Sequence, residues 1–558
     1  MYGRGCNQEN TIMKNDGAVT KSINSISSGI TRLCDRIEAI KGRTPERIAV
    51  MTYLACRITM SFVHEPWFDE ALAWLIARDS SLYEILFVAP HYEGHPSLWH
   101  LILAPFARLG APYELSMNLV SIIFSGIAMA LFIYKAPFKR IVRLMMPFTF
   151  FCFYQYSVVN RPYCMMMLAF VLMAITYSKR NEHPGRFVLS LWFLCMTGAY
   201  GLVVAGGICI VWLLDMLKDR DFCIKKLIWL CLLLIYALFI MYRIFPAKDA
   251  FAVLKSNDAA VMPFVLRLLY MAFGMISDLF ITNTYSYGIT ISESGLGLVD
   301  ILPAVIIGAV IQTYIVITVA KKKMLILFLL PYGMLVLSMS YLYMSRHHMG
   351  IALMFMVFYM WVYTEKKKVK IQEAADINET QKLKKSLITI MLSLGMIIPL
   401  YWSISSSVID VFYDYALGRD EYAFLSENGL LDKSILAEWS SMSDNGEETI
   451  KPISFSGVIT TLLPYMDRDT FLNSPKKAGY NYSLIHKTPA QETTEALIDK
   501  IRQGNLPDVI IGEPEYSDIY TSSVFIISDY ECMYEGEGGV IWKGVPEMAG
   551  EKIYVKKK

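Results

Sequence analysis

The chain has 558 residues, 55% of them hydrophobic and 13% aromatic, with a mean hydropathy of +0.40. This apolar load excludes an ordinary soluble domain. A net charge of +2, with no basic stripe and no zinc-finger spacing, offers nucleic acid no binding surface.

Residues 1–45 are polar, which does not fit a cleaved signal peptide, and they read as a cytoplasmic segment. Within them Ile23, Ile26, Ile30, Leu33, Ile37 and Ile40 recur at helical spacing and stop at Gly42. The pattern predicts an amphipathic helix, lying on the inner leaflet or packed on another helix.

From residue 46 the apolar residues fall in blocks. Residues 227–245 carry one late Arg and residues 324–343 carry no charge. About 20 such residues cross the hydrocarbon layer, and the backbone must satisfy its own hydrogen bonds there. Spans are predicted near 47–64, 116–134, 144–159, 162–178, 187–199, 200–216, 227–245, 297–320, 324–343, 348–364 and 386–405. Segment 97–110 is short and fits a re-entrant piece. Residues 262–282 fit an interfacial helix or one more span. The fold class expected is an all-α polytopic membrane domain over 46–405, with about 11–13 transmembrane helices, followed by a soluble α/β domain over 406–558. In that domain Asp508–Gly512 and Val524–Ser528 read as buried strands and Thr488–Gln503 as a helix. Of ten cysteines only Cys532 lies there, so no disulfide framework is available to it.

Basic clusters at Lys135–Arg143, Lys179–Arg186, Lys218–Lys226, Lys321–Lys323 and Lys366–Lys385 fall on one side of this layout, which makes that side cytoplasmic. The loop 65–96, the turn at Asn160–Arg161, the turn at Arg346 and the C-terminal domain are then extracytoplasmic, in a multi-pass protein of the cell membrane.

The loop 65–96 holds the most informative residues. Phe68, Leu72, Leu75 and Ile76 form an apolar stripe at helical spacing, so a helix lying along the membrane surface is predicted. Asp69 and Glu70 occupy its first turn, where the helix dipole keeps a carboxylate ionised. An ionised carboxylate at the lipid–water boundary is a usable general base; acids in a first turn are equally ordinary capping residues. A second polar group, His91, Glu93 and His95, precedes the segment 97–110, with His100 in its first turn. The spacing of His91, Glu93 and His95 suits one face of a strand. It fits a divalent metal site or a hydrogen-bonded loop.

The pattern Phe68-Asp69-Glu70, then Glu93-Gly94-His95-Pro96-Ser97-Leu98-Trp99, resembles the lipid-dependent glycosyltransferases of the GT-C fold, among them the protein O-mannosyltransferases and the aminoarabinose transferases of lipid A. Asn160-Arg161-Pro162-Tyr163 and Tyr341-x-x-x-Ser345-Arg346-His347-His348 extend the resemblance. Ser97 departs from the commoner second Pro. The second acidic motif of protein O-mannosyltransferases is not evident, which argues against that activity. The resemblance implies that Asp69 is the catalytic base with Glu70 supporting it, and that Glu93 lies at the site, where some relatives hold a metal.

On that basis the expected activity is inverting transfer of a monosaccharide from a polyprenyl-phosphate carrier. The acceptor would be an extracytoplasmic cell-envelope glycan, a glycolipid or a protein. Arg161 and Arg346 would hold the phosphate in bidentate fashion. His95, Tyr163, His347 and His348 would bond phosphate or sugar hydroxyls. The C-terminal domain is a candidate for binding the acceptor. No cofactor is firmly implied; a metal, if used, would sit on Glu93, His91 and His95. Two readings stand against this one: a transporter or flippase of a lipid-linked or small polar substrate, and a non-catalytic membrane scaffold. Arg57 lies mid-span and requires a polar partner that the sequence does not name.

Overall fold

A computed structural model describes residues 5–221, 223–247, 262–284, 296–320, 324–342, 344–368, 379–437, 457–467, 470–472, 503–512 and 529–557. The predicted helix Thr488–Gln503, apart from Gln503, and the predicted strand Val524–Ser528 lie outside these residues, as does the cluster Lys321–Lys323.

Among the described residues five helices are long and apolar enough to cross a membrane: Tyr113–Lys135, Ala199–Asp219, Ile224–Ile244, Leu298–Thr318 and Ser386–Phe412. Three shorter apolar helices, Tyr163–Tyr177, Pro184–Cys195 and Leu325–Tyr341, pack among them. Of the 11–13 expected spans, five are thus present among the described residues as single helices of membrane-crossing length. The helix Ile224–Ile244 turns Ile228, Leu234, Ile235, Leu238 and Phe239 outward. A continuous apolar face of this kind belongs in lipid rather than water. The helical part is therefore a membrane domain.

The structure refines the segments 97–110 and 262–282 and corrects the one at 144–159. Segment 97–110 forms Leu98–Arg108, 11 residues long; at 1.5 Å per residue it reaches about 16 Å, half of a bilayer core. Residues 144–159 are not one α-helix. They run through Arg140–Met145, a 3₁₀ turn at Met146–Phe148 and a π-helix at Phe151–Val158. Phe150 N–H reaches out of this segment to Pro399 O at 2.9 Å, which ties it to the helix Glu379–Phe412. Residues 262–282 contain one continuous helical stretch, Phe264–Phe280, with a π segment at Tyr270–Gly274.

The N-terminal helix, α1 (Gly5–Ala39), packs along Glu379–Phe412, with Ser386 Oγ donating to Asn24 Oδ1 at 2.8 Å. Helix–helix contact thus accounts for its covered side chains, including Ser27, while Ile26 and Leu33 stay more than half exposed. The next helix, α2 (Thr44–Met60), begins beside the basic cluster: Glu46 accepts from Arg140 and Arg143. It ends beside the loop 61–67.

The helix predicted on the membrane surface, α3 (Phe68–Asp79), forms with those bounds. It does not lie on lipid by one stripe. Every residue from Glu70 to Ala77 is buried. One side packs on Leu98–Arg108, and Leu75 points into the apolar core of the C-terminal domain.

The C-terminal region carries a four-stranded sheet in the order β1-β2-β4-β3, from Ile435–Ala437 (β1), Val509–Ile511 (β2), Tyr530–Trp542 (β3) and Val545–Lys556 (β4). β1 and β2 are parallel; β4 runs antiparallel to both β2 and β3. The expected strand at Asp508–Gly512 is β2. The helix Glu379–Phe412 runs unbroken through position 405, so the membrane domain passes into this region along one helix. β3 and β4 form a long hairpin whose two turn residues, Lys543 and Gly544, both have positive φ (50° and 80°). That is the mirror-image turn matched to strand twist, and Gly544 makes it accessible.

Candidate active site

The site forms at one end of the helix bundle, opposite the basic clusters around Arg140 and Arg180. It is assembled from two pairs of neighbours in sequence. Glu70 Oε2 accepts the Trp67 N–H at 2.9 Å, which caps α3, and its Oε1 accepts the Asn160 N–H at 2.6 Å. Glu70 is fully buried and has the His64 ring 3.4 Å away. Its carboxylate fixes the 159–162 turn against the start of α3. The next residue on each side completes a second rung, an ion pair between Asp69 and Arg161. Asp69 keeps 28% of its side chain exposed and Arg161 12%, so this rung faces the mouth while the Glu70 rung faces the core.

Behind the turn lies a densely bonded polar layer, in which Arg57 Nη1 and Asp410 Oδ1 are left without a partner among the described residues. Arg57 finds its partners there: Nε donates to Ser157 O at 2.7 Å, and Nη2 to Asn118 Oδ1 and Asn160 Oδ1 at 2.8 and 2.9 Å. The π-helix frees the Ser157 carbonyl, which also accepts from Ser121 Oγ. His64 Nδ1 lies 2.9 Å from Asp410, and the Tyr154 hydroxyl donates to the same carboxylate at 3.0 Å.

In front of it lies a ring-lined wall. Tyr163 stacks on Tyr156 with centroids 4.7 Å apart and meets the rings of His347, His348 and His95 at 5.5, 6.2 and 6.2 Å. Tyr156 Oη holds the His347 carbonyl at 2.7 Å. Ser345 N–H donates to His348 Nδ1 at 2.9 Å, leaving Nε2–H as the donor of the neutral ring. His95 packs against Gly198, where a Cβ would stand 3.2 Å from Nδ1. Burial pushes the His95 imidazole down to about 4. Burial, then the His348 ring and the Arg161 guanidinium, hold His347 well below the usual range. His348 follows through burial, His95 and Arg161. The wall is therefore uncharged at neutral pH. The buried His95 Nδ1 and the Tyr163 hydroxyl have no hydrogen-bond partner; the hydroxyl lies beside Arg161 out of bonding geometry. Orphaned polar atoms of this kind are costly unless something binds them.

The residues singled out by sequence are placed as follows. Asp69, Arg161, His95, Tyr163, His347 and His348 gather at this mouth, and Arg346 borders it. Glu70 lies behind it. His91 and Glu93 form part of a helical turn, Pro90–Glu93, ended by Gly94 in the left-handed region, so the strand-like spacing of His91, Glu93 and His95 does not put them on one face. His91 Nδ1 turns away to the Phe245 carbonyl at 2.7 Å. Among the described residues no three His, Cys, Asp or Glu side chains converge as a metal requires. The set Glu93, His91 and His95 therefore does not fit a metal. Burial pushes the Glu93 carboxyl up to about 7.

Sequence reasoning offered the C-terminal domain for the acceptor but missed its pairing with Arg346. Arg346 is buried, paired in bidentate fashion with Glu547 of β4 (Nη2 to Oε2, 2.8 Å), and lies over the Trp542 ring at 5.0 Å. Trp542 is wedged edge-on between Phe150 and Phe151, and its Nε1 donates to Asn283 at 3.1 Å. Lys543 Nζ donates to the Asp278 and Thr282 carbonyls, and Gly544 N–H to Ser406 Oγ at 2.8 Å. Arg419 adds a bidentate pair with Glu114 at 2.7 and 2.8 Å. The only local signal was Lys543-Gly544 between two strand-like runs. No protein-family model matches the chain, and no curated protein matches it.

Proposed function

We propose that this chain is an integral-membrane, inverting glycosyltransferase of the GT-C type. It moves a monosaccharide from a polyprenyl-phosphate carrier to an acceptor at the extracytoplasmic face. The observation that carries this reading is the partly exposed Asp69–Arg161 pair, set at one end of a helix bundle beside an uncharged, ring-lined wall with unpaired polar atoms. A general base, a phosphate-binding guanidinium and hydroxyl-binding groups are then within one mouth.

In the resting pair Arg161 occupies the Asp69 carboxylate. A donor phosphate entering from the lipid competes for the guanidinium, and its arrival frees Asp69. The acceptor hydroxyl gives its proton to Asp69, and its oxygen forms the new bond to the anomeric carbon. The bond from that carbon to the phosphate oxygen breaks, and its electron pair leaves with the polyprenyl phosphate, whose charge Arg161 stabilises. Neutral His347, His348 and His95, with Tyr163, hold the sugar hydroxyls. Glu70 acts at one remove by fixing the Asn160 turn. The basic clusters at the far ends of the helices support an extracytoplasmic mouth and a cytoplasmic N-terminus.

The test is to incubate the purified chain, reconstituted in vesicles, with labelled polyprenyl-phosphate hexose and candidate envelope acceptors. Transfer to an acceptor, or slow hydrolysis without one, is the expected outcome. Movement of intact labelled lipid between leaflets with no bond cleaved would make the chain a flippase and end this reading.

A further inference from the structure

The hairpin β3–β4 delivers a carboxylate, Glu547, to a guanidinium, Arg346, that would otherwise be a second cation at the site. Arg346 and Arg161 both act on the His347 ring. His347 packs on Tyr163, which lies beside Arg161. Both guanidinium groups thus lie within electrostatic reach of one imidazole, Arg346 as its neighbour in the turn Arg346–His348. Each has a carboxylate against it: Asp69 on Arg161, Glu547 on Arg346.

The two pairs differ in how they are held. Asp69–Arg161 is partly open, with 28% of the Asp69 side chain exposed. Arg346 keeps 7% exposed and is clamped between Glu547 and the Trp542 ring. Trp542 is itself locked by Phe150, Phe151 and Asn283, and the turn behind it by Lys543 and Gly544. An incoming anion meets a partly exposed pair at Arg161 and, at Arg346, a buried pair held between Glu547 and the Trp542 ring.

We infer that Glu547 is a specificity-determining residue: it neutralises Arg346 and so limits the site to donors carrying one phosphate, excluding lipid diphosphates. The inference rests on the donor reading proposed above. A sugar linked through one phosphodiester brings a single negative charge, which Arg161 matches once Asp69 is released. A diphosphate-linked sugar brings two, and among the described residues its second phosphate meets Arg346, which Glu547 already occupies. A buried anion without a cation is expelled.

The test uses the full-length chain in nanodiscs and measures competition of polyprenyl monophosphate and polyprenyl diphosphate for a fluorescent polyprenyl phosphate. Wild type is expected to prefer the monophosphate. Glu547→Gln uncovers Arg346, and its affinity for the diphosphate should rise about tenfold, the size of one added charge-assisted contact, while the monophosphate changes less than about threefold. Glu547→Asp keeps the charge and should stay near wild type. The pair Glu547→Gln with Arg346→Gln should lose the gain, which separates unmasking from loosening of the hairpin. Equal shifts for both lipids, no shift, or a wild-type preference for the diphosphate would overturn the inference, as would binding of neither lipid. If wild type binds the monophosphate but never cleaves its hexosyl form, the transferase reading fails while the role of Glu547 stands.

Discussion

Two polar regions lie back to back at the end of this bundle, and they differ in how their carboxylates are held. The inner layer, Arg57, His64, Glu70, Asn118, Asn160 and Asp410, is buried and densely bonded. The mouth, Asp69, Arg161, His95, Tyr163, His347 and His348, contains one partly open ion pair and unpaired ring and hydroxyl atoms. Adjacent residues of one helix, Asp69 and Glu70, therefore do opposite things. A carboxylate holding two backbone N–H groups inside protein is structural, because moving it strands those donors. A carboxylate held by one partly exposed ion pair can exchange partners at modest cost. The contrast marks Asp69, rather than Glu70, as the carboxylate able to change partners.

The largest expected effect breaks the mouth alone. Asp69→Asn should lower sugar transfer by ~10²–10⁴-fold with little change in the denaturation midpoint; near-normal turnover would remove Asp69 from the mechanism. The next effect breaks the layer behind it. Glu70→Ala should destabilise the folded chain by about 3 kcal/mol, by leaving the Asn160 and Trp67 N–H groups unpaired. Thermal unfolding in detergent reads this, and an unchanged midpoint would show that water replaces the carboxylate.

Gly198→Ala sharpens the comparison from the side of the wall. Its Cβ would crowd His95 Nδ1 at 3.2 Å, and donor KM should rise about fivefold, roughly 1 kcal/mol, with kcat little changed. The smallest effect is a pH slope. The folded-state value of about 7 for Glu93 lies above its ordinary 4.5. The stability that the uncharged carboxyl contributes is complete below pH 4.5 and is lost as the pH rises through about 7. Glu93→Gln should flatten the fall in stability between those values; an identical pH profile would place the slope elsewhere. The lowered values of His95, His347 and His348 act in the opposite sense, giving stability above the ordinary histidine value that is lost as the pH falls.

By itself the sequence determined that the chain is a helical membrane protein with an α/β region after it. Lipid demands long apolar runs, and such runs are visible in one dimension. It also marked the helix Phe68–Asp79 and the acids of its first turn, since capping and dipole effects act within a few residues. The strand at Val509–Ile511 was legible for the same local reason. Tertiary structure decided everything that depends on pairing across distance. Arg57 visibly needed a partner, but Ser157, Asn118 and Asn160 become its partners only when α2 packs against Tyr113–Lys135 and the π-helix. The apolar stripe of α3 reads as lipid-facing, and only the fold shows it covered by protein on both sides. Glu547 and Arg346 are separated by 201 positions. Nothing near either residue announces the other, because an ion pair between remote segments leaves no periodicity, cap or turn signal in the chain; it exists only once the hairpin has been inserted between the helices.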